Sequence, residues 1–199
     1  MREKSEKRGV EASLLLSFVV DYIVSASELL GLGKSRVSVS AIFCLRHSIE
    51  LLQKSLTSAS RKKFNRNHEL NKENLEMAKT ALNKIKLNDQ NPAIKKRIIP
   101  FLEEISKNEN PEKIFKVIMK GFSQKLGLIS KKYQTHSYLN LREKINDRKN
   151  IYLRYPKNQE FLDNLEIANL ERIRSDVTEV LNMVAILVFF FSLTTTPLD

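Results

Sequence analysis

The stretch 35-SRVSVSAIFCLRHSIELLQKSLTS-58 decides the fold. Ile42, Leu45, Ile49, Leu52 and Leu56 recur at alternating steps of three and four, the period of one helical face. Arg46, Glu50 and Lys54 recur at every fourth position and form an i,i+4 charged face. The pattern predicts a helix over 35–58. Immediately upstream, Gly31-Leu32-Gly33 ends a second periodic segment. There Leu15, Val19, Ile23, Ala26 and Leu30 supply an apolar stripe, and Ser13, Ser17, Asp21 and Ser25 a polar one, so a helix is expected over 11–30. A link as short as Gly-Leu-Gly makes the two helices antiparallel neighbours.

Working outward, 58-SASRKKFNRN-67 reads as a polar basic loop, followed by a weakly apolar helix over 68–87 through Leu75, Ala78, Leu82 and Ile85. Two Asn-Pro pairs, at 91–92 and 110–111, each place an N-cap residue before a proline suited to the first helical position. They start helices expected over 92–107 and 111–129, with Pro100 expected to kink or split the first. Periodicity fails from Lys131 to Gln159. It returns in a last helix expected over 161–192, where Ile173, Val177, Val180, Val184, Leu187 and Phe191 make a near-heptad seam. Towards its end this helix turns apolar all round, which calls for burial on several sides. No segment alternates with period two. The chain is expected to be all-α: a single domain over 1–199, a bundle of about six helices with a helical insertion at 88–130, a basic tyrosine-rich connector at 131–160 and a long C-terminal helix.

Composition narrows the function. The 199 residues are long enough to bury a core, and five Gly and five Pro are too few for a turn-rich β fold. Cys44 is the single cysteine, expected as a buried inert thiol, and three scattered histidines add no metal-ligand spacing. Neighbouring carboxylates such as Glu103 and Glu104 point to different helix faces. There is no Gly-x-x-x-x-Gly-Lys-Ser/Thr phosphate loop, so no cofactor is expected. The N-terminus superficially resembles a signal peptide, but Glu3, Glu6, Glu11 and Asp21 break the pattern. The run 183-MVAILVFFF-191 is too short to span a bilayer. With no transmembrane segment read, the chain is expected to be cytoplasmic.

The net charge of +11 argues for an anionic partner. It is concentrated: twelve basic and two acidic residues lie between Lys113 and Lys157, ten charges of the surplus. Four of the five tyrosines, Tyr133, Tyr138, Tyr152 and Tyr155, share that window. Lysine and arginine neutralise phosphates, and tyrosine rings stack on unpaired bases, a combination suited to single-stranded or irregular RNA. The candidate contacts are Lys131, Lys132, Arg142, Arg148, Lys149, Tyr152, Arg154 and Tyr155. A solvated connector is the competing reading.

Three short pieces resemble the HEPN superfamily: 45-LRHSIELLQKSL-56, 68-HEL-70 and 154-RYP-156. The resemblance implies an α-helical fold, homodimers, and metal-independent ribonuclease or RNA-binding activity in toxin–antitoxin, defence or RNA-processing systems. It makes Arg46, His47, Glu50, Lys54 and His68 structural motif residues. The family's nucleases carry an Arg, then a His four to six residues later, near the start of the last helix. This chain departs there: Lys149 follows Arg148, and positions 153–155 are Leu, Arg and Tyr. Arg61 and His68 have a comparable spacing, but they precede the third helix.

The leading expectation is therefore an RNA-binding protein without the family's ribonuclease His, dimeric through its C-terminal helix. A metal-independent ribonuclease using His136, Arg148 and Arg154 is the first alternative. A regulatory protein that binds an acidic protein partner is the second.

Overall fold

The computed structural model describes residues 2–32, 35–59, 70–90, 92–106, 109–135 and 170–195, the side chains of 2–10, 35–38, 94, 170 and 189–195 excepted. The described residues form six α-helices and no strand: α1 (Arg2–Gly31), α2 (Ser35–Ala59), α3 (Lys72–Lys84), α4 (Pro92–Ser106), α5 (Pro111–Gln134) and α6 (Leu170–Thr195). The chain is all-α.

Helices α1 and α2 pair antiparallel, as their short link requires. Near one end of the pair Ser55 Oγ donates to the Ala12 carbonyl at 2.8 Å, and Ser58 Oγ to Glu11 Oε2 at 3.1 Å. Further along, the Tyr22 ring meets His47 edge-on with centroids 4.5 Å apart. The buried stripe of α1 is Ala12, Leu16, Val19, Ile23, Ala26 and Leu30. Ser17, Asp21 and Glu28 stand on its exposed side, together with Leu14 and Phe18. Length and composition alone would let Glu11–Gly31 cross a membrane, but its Leu16, Val19, Ile23, Ala26 and Leu30 lie in the core of the bundle.

Helix α2 is the axis of the molecule. It touches α1, α3, α5 and α6, and every residue from Ala41 to Ser58 is buried or half-buried. The α5 helix closes the opposite side from α1, with Phe115, Met119, Leu126, Ile129 and Tyr133 in the core. The seam of α6 buries Ile173, Val177, Val180, Val184 and Leu187 as its spacing predicts, and adds Met183. Phe191 lies among side chains outside the described set. Within the described part of its apolar run, α6 is not enclosed all round at Ala185 and Ile186, which are exposed.

The boundaries shift for identifiable reasons. Helix α1 begins at Arg2, nine residues before the expected 11. Helix α3 starts at Lys72, four residues later than the periodicity suggests. Asn71 is its N-cap, with Oδ1 accepting from Asn74 N at 2.7 Å. Asn110 caps α5 in the same way through Glu112 N at 2.8 Å, followed by Pro111. Pro100 does not split α4, which runs unbroken from Pro92 to Ser106. Both Pro100 and Lys96, whose carbonyl loses its partner to the proline, face solvent, where water replaces the missing bond. Helix α5 runs five residues beyond the expected 129, because Ser130 and Tyr133 are buried and continue its inner face.

Candidate functional site

The charged face of α2 is not a surface feature. Arg46, Glu50, Gln53, Lys54 and Thr57 are all buried, at 4% exposure or less. Charges so placed are costly unless they are paired and hydrogen-bonded. Lys54 Nζ donates to Glu50 Oε1 at 2.6 Å, and His47 Nδ1 to Glu50 Oε2 at 3.3 Å. Burial pushes the Glu50 carboxyl up. The hydrogen bonds from His47 and Lys54 and their charges outweigh it, and hold the group below its ordinary value. His47 is itself wedged between aromatic rings, Tyr22 edge-on and Phe43 at 6.0 Å and near-parallel. That packing makes it a structural residue of the α1–α2 seam.

Arg46 reaches across to α5. Its Nε donates to the Tyr133 carbonyl at 3.3 Å. This is one of the last four carbonyls of α5, which have no partner within their own helix. Arg46 thus caps α5 from α2. Arg174 of α6 does the same for α1, with Nη2 on the Leu30 carbonyl at 2.9 Å. The side chain of Tyr133 continues the network, as its hydroxyl donates to Asp176 Oδ2 of α6 at 2.7 Å. Lys132 pairs with the same carboxylate oxygen and lies 5.6 Å over the Tyr133 ring. One turn earlier, Gln53 Nε2 donates to Ser130 Oγ at 2.9 Å, while Gln53 Oε1 is buried without a partner among the described residues. Helices α2, α5 and α6 are therefore bolted together at the C-terminal end of α5, the point from which the chain enters the basic stretch.

Of the eight candidate nucleic-acid contacts, the structure describes two. Lys131 is exposed in the last turn of α5. Lys132 is half-buried, with its charge matched by Asp176. Arg142, Arg148, Lys149, Tyr152, Arg154 and Tyr155 lie outside the described residues, as do His136, Arg61 and His68. The structure brings Arg46 and Glu50 onto one buried face, while Arg148 and Arg154 cannot be set beside them. Cys44 is half-buried on α2, and burial pushes its thiol up, away from the reactive thiolate.

The surface of α5 extends the basic character beyond the stretch itself. Lys113, Lys116, Lys120, Lys125 and Lys131 are exposed, and no carboxylate follows Glu112 on this helix. Lys113, Lys116, Lys120 and Lys131 share one face at helical spacing. At 1.5 Å per residue, this stripe is about 27 Å long. Lys125 turns to the side and pairs with Glu179 of α6 at 2.8 Å, and Lys113 pairs with Glu109 at 3.3 Å in a solvent-exposed contact. Exposed pairs of this kind are weak and yield readily to another anion. The sequence window of high charge already contained these lysines, and their common face was there to be found in the spacing.

Searches of protein-family models, of curated proteins and of solved structures find no match to the chain.

Proposed function

We propose that the protein is a HEPN-like RNA-binding module that holds a single strand along the lysine face of α5 and the basic stretch that follows it. The lysine face carries the reading: four exposed lysines in line over about 27 Å, of which Lys113 is in an exposed pair with Glu109, match the backbone of several nucleotides. The bolted end of α5 supports it, because Arg46, Tyr133, Lys132 and Asp176 fix the root of the basic stretch relative to the lysine face. Arg148 and Arg154 supply bidentate phosphate contacts, and Tyr152 and Tyr155 supply stacking.

The test is a salt series of binding to single-stranded RNA. The wild type is compared with Lys116→Gln/Lys120→Gln and with Arg148→Ala/Arg154→Ala. Each lost phosphate contact is expected to flatten the dependence of log affinity on log salt by about 0.7. Equal affinities and slopes in all three proteins remove the reading. Incubation of the same RNA with EDTA present separates binding from hydrolysis, and intact RNA is the expected result.

A further inference from the structure

Helices α4, α5 and α6 leave a groove of about 330 Å³ between them. Its walls are carbon, with Ile98 and Phe101 from α4, Ile118 and Met119 from α5, and Ile186 from α6. Among the described residues, the single polar side chain that lines it is Arg97. Arg97 is exposed, so it stands at the mouth. We propose that the groove binds a single-tailed anionic amphiphile, a fatty acid or its close relative, with the alkyl chain along the apolar walls and the acidic head on Arg97.

Three observations converge on this occupant. The volume lies within the range of small-molecule sites, which are apolar with a few placed polar groups. A water occupies roughly 30 Å³ in the liquid, and a methylene is of similar size, so the groove has room for about ten methylenes. The walls are also left open: Phe101 is 58% and Ile186 38% exposed, a contiguous apolar surface that calls for a cover. Arg97 then selects among apolar occupants. A guanidinium offers two parallel donors to a carboxylate, and among the described residues no carboxylate lines the groove to oppose an incoming anion. An uncharged chain would fill the walls but gain nothing from the guanidinium at the mouth. The reading is independent of RNA binding, because the groove is lined by α5 residues of the inner face and not by the lysine stripe.

The experiment is calorimetric titration of the full chain with octanoate, decanoate, dodecanoate and tetradecanoate, each below its micelle concentration, and with 1-decanol. One molecule per chain is expected, with affinity rising with length and levelling near twelve carbons. Decanoate is expected to bind at least about tenfold tighter than 1-decanol, the worth of one charge-assisted hydrogen bond. Arg97→Gln is expected to abolish that difference. Ala185→Phe places a ring in the groove from an exposed position of α6, so it leaves the core untouched, and is expected to abolish binding. Lys116→Gln, with the same loss of charge on another face, is expected to bind as wild type. Undiminished binding by Ala185→Phe, or equal affinity for the acid and the alcohol, overturns the proposal. Binding of several molecules per chain that Lys116→Gln weakens as much as Arg97→Gln also overturns it, as adsorption to a basic surface. A sedimentation mass that doubles with protein concentration, is restored to one chain by Ala185→Phe, and is unaffected by decanoate identifies a second copy as the occupant and overturns it too.

Discussion

Glu50 and Lys54 occupy positions where either charge alone would be costly. Each has about 5% of its side chain exposed, and they sit 2.6 Å apart. Removing one partner leaves the other buried and uncompensated. Glu50→Gln and Lys54→Met are each expected to lower stability by about 3–5 kcal/mol. A double replacement by apolar residues of similar volume is expected to cost clearly less than the sum, and denaturant unfolding of the four proteins measures the difference. The pH dependence follows from the depressed carboxyl of Glu50. Its folded value lies below its ordinary 4.5, so the stability it contributes is fully present above about 4.5 and is lost as pH falls through the folded value. Acid unfolding followed by circular dichroism is therefore expected to steepen below about pH 4.5 in wild type, and to do so less in Glu50→Gln. The charged spacing of Arg46, Glu50 and Lys54 was legible in the sequence, but its burial was not. An i,i+4 triplet reads alike on a wet face and a dry one. What distinguishes them is a distant partner, and the Tyr133 carbonyl that receives Arg46 is 87 residues away.

The helices themselves were legible wherever one face repeats, because a stripe of apolar residues at steps of three and four admits one secondary structure. Their ends were less so, because an end is set by a single cap. Asn71 begins α3 by bonding Asn74 N, and the periodicity around it gives no warning. Asn110 before Pro111 announces itself. Asn110→Ala is expected to cost about 1 kcal/mol, read by thermal unfolding. Pro100 works in the opposite direction. It sits inside α4 on an exposed face, with the carbonyl of Lys96 deprived of its donor. Pro100→Ala restores that bond without disturbing the core, and is expected to raise stability by up to about 3 kcal/mol, seen as a higher Tm. A fall in Tm would show that the proline itself helps hold α4 in place.

At the scale of the molecule, four helices pack around one. Helix α2 has no face of its own in water along Ala41–Ser58, and its two sides differ in chemistry. Towards α1 it presents His47, Ser55 and Ser58, which meet Tyr22, Ala12 and Glu11 across a hairpin of neighbouring helices. Towards α5 it presents Arg46 and Gln53, whose partners come from far along the chain. The basic window, by contrast, could be found in the sequence without any structure, because net charge needs no partner to be seen. Salt-dependent association with a polyanion, and its loss in Lys116→Gln/Lys120→Gln, is the prediction that belongs to this scale. The sidedness of α2 also orders events in time. Contacts between neighbours in the chain form with little loop closure, whereas the polar side waits for α5 and α6 to arrive. Its ions are then still hydrated when the hairpin of α1 and α2 is already made. A substitution such as Ile23→Val is therefore expected to slow refolding, with a φ value above about 0.5. Glu50→Gln is expected to leave refolding nearly unchanged and to speed unfolding, with φ near zero. The helix at the centre would be half assembled at the barrier, and its charges would be the last to leave water.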